Sequence, residues 1–514
     1  MGIMRSPSLT LRPVTLVGRP GSPTLPHAVA PRPHPLRGRP GLILTALTLC
    51  TGSFALLQAA VVPALPEIRS DLGTTVGWAG WTVTIYLLAA SVATPLLGKL
   101  GDRFGRDRLL FATMAVFVLG SVLSVVAWDI WSLIVFRALQ GIGGAAYPLA
   151  FSIMRDTMPP RKVGVAMGLV SSTLGIGGGL GLVMSGVIVD HASWRWLMVM
   201  GAAFGVLALA SAVAFIPRSE RYGSARLDIP GAVLLSAGLI MVLVALTQGT
   251  QWGWGSPATL GLAGAGAAVL AVWVLVEMRS PAPMVDMRMM RRRPVLMTNL
   301  AALFCGVMMY AIFTVLPQFS QAGAGLPPDV ATLVTYGFAA AVTVTALLML
   351  PGALVMEPLG PLGGVLGRAA GYRSALVVGL ILSGRGCALR ALFLAEPWQI
   401  VVTYAIGAGG VAIAFGAMPK LITDAVDISE TGIATGMNTV VRTLGSVIGA
   451  QVSITLVAND LIPGTAIPAE GGFITALWVG AGAALIATLF ALALPTGRRD
   501  AKATTPSLEV ATRA

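Results

Sequence analysis

From Gly41 to Leu494 the chain alternates long apolar runs with short polar breaks. The runs fall at roughly 41–63, 79–97, 109–127, 131–153, 163–189 and 195–216, then at 229–247 and 258–277. A last set follows at roughly 297–319, 331–356, 374–394, 398–419, 432–457 and 472–494. Runs of about 20 apolar residues are long enough for a helix to cross a ~30 Å hydrocarbon layer. The alternating ten-residue segments of a membrane barrel are absent from the pattern. Backbone groups in lipid must find partners within their own segment, so the runs read as helices. The pattern predicts an all-α integral membrane protein with fourteen spans, grouped six, two and six. The corresponding divisions are a tail over 1–40, a six-helix bundle over 41–216, two extra helices with flanking loops over 217–296, a second six-helix bundle over 297–495 and a tail over 496–514.

Composition agrees with this. Of 514 residues, 56% are hydrophobic and 11% charged, whereas soluble proteins carry about 25% charged residues. The net charge of +13 would suit a nucleic-acid partner if it were gathered on one surface, but it is not. All but six of the 34 Lys and Arg lie in the tails and in alternate breaks. Arg69 and Arg195 fall in the other set of breaks, and Arg137, Arg385, Arg390 and Arg442 fall inside apolar runs. By the positive-inside rule both termini are expected in the cytoplasm. The partner is then the lipid bilayer, with no nucleic acid. The first 40 residues, rich in Pro, Arg, Ser and Gly and lacking any acid, read as a disordered cytoplasmic tail. The run that follows is too long for a signal-peptide core.

The cysteines Cys50, Cys305 and Cys387 lie in apolar runs, while His27 and His34 lie in the tail and His191 at a run's end. No metal-ligand spacing or disulfide framework arises, and no cofactor is called for. Trp128, Trp131, Trp194, Trp196, Trp252, Trp254 and Trp398 stand at run ends, as an interfacial aromatic belt would place them. Each of the 21 acids is placed by the pattern at a run end, in a break or in a tail, with none at mid-membrane. The acids placed where they could titrate at the membrane are Asp102, Glu357 and Glu67.

Gly98-Lys-Leu-Gly101-Asp102-Arg103-Phe-Gly105-Arg106-Asp-Arg108 is a short charged stretch between two apolar runs. It reads as a tight loop whose glycines let helix ends approach. Its pattern, G-x-L-x-D-R-x-G-R, resembles the signature loop between helices 2 and 3 of the major facilitator superfamily. Leu133-x3-Arg137-x2-Gln140-Gly141-x-Gly143 in the fourth run is similar to that family's helix 4. The fifth run, Gly175-Ile-Gly177-Gly178-Gly179-Leu-Gly181-Leu182-x2-Ser185-Gly186, resembles an antiporter signature, with Leu182 where that signature has proline. Thr431-Gly432-x2-Thr435-Gly436-x-Asn438-x3-Arg442-x2-Gly445-x3-Gly449 resembles the corresponding late helix. Pro361-Leu-Gly363-Gly364-x3-Arg368 reads as a degenerate second copy of the signature loop. With the extra central pair, the whole resembles the fourteen-helix drug:proton antiporters over about residues 41–495.

That resemblance implies a major facilitator fold and a non-enzymatic secondary transporter in the inner or plasma membrane, acting as a monomer. Its small-molecule substrate would be an amphipathic drug-like or antibiotic compound, exported in exchange for protons as two halves rock about a central site. It assigns conformational gating to Gly98, Gly101, Asp102, Arg103, Gly105 and Arg106, with Asp102 set against the helix opening near Gly432. It points to proton coupling at Arg137, Gln140, Asp102 and Arg442, and to helix packing at Gly141, Gly175, Gly181, Gly186, Gly436, Gly445 and Gly449. Candidate substrate-lining side chains are Gln58, Trp81, Tyr86, Tyr147, Tyr310, Gln318, Tyr336 and Asn438. Arg390 is expected to snorkel outward, and Arg385 has no assigned partner. A transporter of another metabolite, or a facilitator without proton exchange, fits the same pattern. A membrane enzyme would need intramembrane nucleophile or His/Asp clusters, and a sensor would carry a sizeable soluble domain.

Overall fold

A computed structural model describes residues 38–219, 228–281, 283–323, 332–463, 465 and 467–495. The tails with His27 and His34, and the break cations Arg221 and Arg226, lie outside the described residues. Among those described, fourteen helices are long and apolar enough to span a bilayer. We number them α1 (Pro40–Ala60), α2 (Val76–Phe104), α3 (Arg106–Val125), α4 (Ile130–Thr157), α5 (Pro160–His191), α6 (Arg195–Phe215) and α7 (Ile229–Trp252). The rest are α8 (Pro257–Arg279), α9 (Arg293–Gln321), α10 (Val342–Ala370), α11 (Tyr372–Leu392), α12 (Pro397–Ala425), α13 (Thr431–Asn459) and α14 (Glu470–Leu492). Within α4 the segment Ile142–Ala145 tightens to a 3-10 turn.

Helix boundaries follow local chemistry. Asp129 accepts from Ser132 N at 2.8 Å while the Ser132 hydroxyl meets the Asp129 backbone, a reciprocal cap that starts α4. Asp228 and Ser256 cap α7 and α8 through their side chains alone, accepting from Gly231 N and Thr259 N. Prolines open α1, α5 and α12, where the missing N–H costs nothing.

Three boundaries differ from the sequence expectation, the first being the tenth run, expected from about 331, which becomes helical only at Val342. The charged stretch 98–108 is not a loop: α2 runs on to Phe104 and α3 starts at Arg106, leaving Gly105 alone, at φ 109°, as the joint. The expected break after residue 356 is helix as well. Pro351, Pro358 and Pro361 all lie inside α10, which ends only at Gly371, φ 92°. Neighbouring helices can satisfy the groups a proline frees in a membrane helix.

One hydrophobic core is built from α1–α6, including Leu47, Phe117 and Met154, and a second from α9–α14, including Met308, Phe319 and Phe415. Within its half α5 packs on α1, and across the seam on α10; α13 packs on α9 and, across the seam, on α2. These relations repeat the same pattern in the two halves. Helices α7 and α8 pair with each other at the edge: only 17% of the most apolar window of α8 is buried, against 78% in α12. An even number of spans brings Pro40 and Leu492 to one end of the bundle, the end that carries Asp102. Trp194 leaves the expected aromatic belt. It is fully buried, its indole donating to Asp71 at 2.9 Å and its backbone N–H to Glu67 at 3.1 Å.

Candidate functional site

At the Asp102 end the two halves are tied by charge. Arg106, fully buried, donates to Asp102 Oδ1 through Nε at 2.9 Å and a terminal nitrogen at 2.7 Å, and to Asp156 Oδ1 at 2.6 Å. It also donates to the carbonyl of Ile428, in the link between α12 and α13. Arg155 reaches the same link, donating to the carbonyls of Val426 at 2.9 Å and Asp427 at 3.2 Å and to the Thr431 hydroxyl. Arg368 donates across the seam to the Arg161 carbonyl at 2.8 Å. Asp102 Oδ2 has no hydrogen-bond partner among the described residues and faces Gly432, in the first turn of α13. The positive end of the helix dipole favours a carboxylate there. Asp102 therefore makes a local ion pair and a contact with the other half together. Arg103 lies outside this network, stacked on Phe104 at 5.0 Å.

Small residues let the halves touch. A Cβ on Gly432 would meet Asp102 Oδ2 and the Gly98 carbon at 3.0 Å. Gly101 abuts Leu149 of α4 and Gly436 abuts Pro95 of α2. On α5, Gly175 faces Met356 and Gly186 faces Thr343 of α10, while Gly181 faces α1 at Leu56. Gly141 packs on the Tyr86 backbone, and Gly445 and Gly449 pack on α9 at Leu303 and Val307. Gly105 aside, which joins α2 to α3, the glycines named here sit at helix crossings, some within a half and some across the seam.

Arg137 and Gln140 share a face, with a 2.7 Å bond between them. Arg137 is fully buried. It donates to the Thr82 carbonyl at 3.1 Å and lies 4.1 Å from the Tyr86 ring centroid. Gln140 continues to Ser121 and Ser124 of α3. This network is interior to the first half. In the second half Arg390 does not snorkel. It is fully buried, donating to Thr403 at 3.3 Å and stacking on Tyr404 at 5.3 Å. Arg385 is the exposed one. A helix turns 100° per residue, so positions five apart present different faces.

At mid-depth the seam carries polar groups from both halves. Gln58 of α1 donates to the Tyr310 hydroxyl of α9 at 3.2 Å. Tyr147 of α4 meets Thr173 at 2.9 Å and lies within electrostatic reach of Arg442. The Arg442 guanidinium lies 4.7 Å from the Phe415 ring centroid. Glu357, expected at a break, is near the middle of α10, half-buried, with its Oε2 3.0 Å from Ser172 Oγ of α5. The expectation that no acid stands at mid-membrane is corrected by this residue. The prolines after it mimic a helix end in the sequence.

The other candidate lining residues are dispersed. Tyr86 is fully buried beneath Arg137, its hydroxyl donating to the Phe54 carbonyl at 2.8 Å. Asn438 binds Asn299 at 2.8 Å, within the second half. Gln318 is exposed and donates to its own helix. Trp81 is half-buried on α2, near the end opposite Asp102. Tyr336 lines a cavity of about 390 Å³ at that same opposite end, with Phe319, Gln399 and Glu470. Sequence reasoning missed Arg155, Asp156 and Ser172. The first two read as break charges, and nothing marked Ser172.

Two six-helix halves with a polar seam, in a bundle of membrane-spanning helices, define a membrane transporter rather than an enzyme. The profile of the Major Facilitator Superfamily matches residues 47–450, and the chain belongs to that family. It is 26% identical to Multidrug resistance protein 3 of Bacillus subtilis (strain 168), over 79% of this chain and 77% of that one. It is 28% identical to the Tetracenomycin C resistance and export protein of Streptomyces glaucescens, over 85% of this chain and 80% of that one. Among solved structures, the human organic anion transporter MFSD10 (TETRAN) superposes with a TM-score of 0.60 over 89% of this chain and 100% of that one. At 13% identity that likeness bears on the fold alone.

Proposed function

We propose that the protein exports a small amphipathic, drug-like compound from the cell in exchange for protons. Export of such compounds is supported by the names of its relatives. Proton exchange rests on the Ser172–Glu357 contact at the seam. Ser172 Oγ lies 2.7 Å from the Leu169 carbonyl and 3.0 Å from Glu357 Oε2. A hydroxyl has one proton to give. When it goes to Leu169, Ser172 can only accept, and Glu357 must then hold a proton of its own. When Glu357 is ionised, the hydroxyl turns to it. The carboxyl thus has a partner in both protonation states, at a contact that a rocking motion makes and breaks.

In this reading the Asp102 end lies in the cytosol, where the cations belong, and the Arg106 and Arg155 ties close it. The structure is then one whose cytosolic end is closed. Residues 41–216 and 297–495 act as the rocking halves in a monomer. Asp102, with Gly98 and Gly432, gates, and Arg137 with Gln140 stiffens the first half. The test uses everted membrane vesicles. Uptake of antibiotics or dyes should follow an imposed proton gradient and disappear when it is collapsed. Uptake that ignores the gradient points to a facilitator.

A further inference from the structure

The seam carries one cation at mid-depth whose role export alone does not explain. Arg442 stands twelfth of the 29 residues of α13, far from either end. Among the described residues its guanidinium has neither a hydrogen bond nor an ion-pair partner; its neighbour is the Phe415 ring. Tyr147, from the other half, and Tyr310 lie within electrostatic reach of it, and Gln58 donates to the Tyr310 hydroxyl. Arg442 is only partly covered, and no side chain of the described residues neutralises it. The buried arginines elsewhere differ: Arg106, Arg137 and Arg390 have no exposed surface and each donates to a fixed oxygen.

An uncompensated cation at such depth is costly, and the cost is relieved when an anion binds beside it. A cationic guest would be repelled at the same place. The surrounding groups suit a particular kind of anion. Tyr310 and Gln58 are partly exposed, so the Tyr310 ring can pack on an aromatic guest and its hydroxyl and the Gln58 amide can donate to oxygens beside the charge. Glu357, the carboxylate at this depth, is engaged with Ser172 on the α5–α10 side, so it does not neutralise Arg442.

We propose that Arg442 is the counter-charge of the substrate site, and that the transported compound is an aromatic organic anion. This rests on the transporter reading above but is tested by binding, not transport. The probes are fluorescein and rhodamine 123, xanthene dyes of similar shape and opposite charge. Each is titrated against the full-length protein in nanodiscs and followed by fluorescence polarisation. Fluorescein should bind at least about tenfold more tightly than rhodamine 123, a gap of ~1.4 kcal/mol. Arg442→Gln should erase that preference and Arg442→Lys should retain most of it. Equal or tighter binding of rhodamine 123, no binding of either dye, or a preference unchanged in folded Arg442→Gln would overturn the assignment. The wild-type comparison decides the matter even if that variant fails to fold. Should the preference hold while everted vesicles accumulate nothing, the export reading fails and the anion site stands.

Discussion

Gly98 and Gly432 meet backbone to backbone across the seam: a Cβ on Gly98 would lie 2.6 Å from the Gly432 carbonyl oxygen. Backbone atoms cannot give way as a flexible side chain can, so any larger residue must part the halves. Gly98→Val should hold the Asp102 end open and stop efflux without removing the protein from the membrane. In a background lacking the three buried cysteines, a cysteine at Thr435, 2% exposed, should become reactive to a water-soluble maleimide. Unchanged protection in an inactive Gly98→Val protein would sink the gating role.

Arg106 holds two carboxylates and two carbonyls at once. Arg106→Gln takes the cation from the buried Asp102 carboxylate and should cost about 3–5 kcal/mol. Asp102→Asn keeps the shape and loses a charge-assisted bond, weakening the closed state by ~1.5–3 kcal/mol. Thermal unfolding should rank the variants in that order, and Asp102→Asn should lose most efflux at normal abundance.

Glu357→Gln should abolish uphill uptake driven by a proton gradient yet leave downhill counterflow of preloaded compound. Ser172→Ala should slow both modestly, because water can replace the hydroxyl. If Glu357→Gln still concentrates its substrate against a gradient, another group carries the proton.

The buried arginines separate from the exposed one. Arg137→Ala strands the Gln140 and Thr82 oxygens, each a loss of about 1–3 kcal/mol. Arg390→Ala opens a void beside Tyr404 and should also destabilise the protein. Arg385→Ala should stay within about 0.5 kcal/mol of wild type. Melting curves in detergent check all three, and a large effect at Arg385 would contradict its exposed position.

At the opposite end, hydrogen bonds from the Trp194 indole and from Arg195 hold the Asp71 carboxyl below its ordinary range. A depressed folded pKa stabilises the protein above the unfolded value of about 4. That contribution is lost as pH falls through the lower folded value. Asp71 is 42% exposed at its side chain, so the effect is small. The gap in melting temperature between wild type and Asp71→Asn should be level from neutral pH to about pH 5 and shrink below about pH 4.

Much of this molecule is written along the chain. The cost of burying an unpaired backbone in lipid turns each apolar run into a helix, so fourteen spans and their alternation follow from local composition, and the family from the motifs of α2–α5 and α13. The glycines of α5 and α13 mark crossings for the same reason, since close helices exclude side chains. The tertiary structure decided which partners those features meet. Proline and glycine signal a break locally, yet Pro358 and Pro361 continue α10 because neighbouring helices support it, and this carries Glu357 from a supposed loop to the middle of the seam. Arg385 and Arg390 are alike in sequence, and only the rotation of α11 against α12 buries one and exposes the other. Arg155 and Arg106 find the carbonyls of 426–428 about 270 and 320 residues away, and no local periodicity encodes a contact between chains of packing set at that distance.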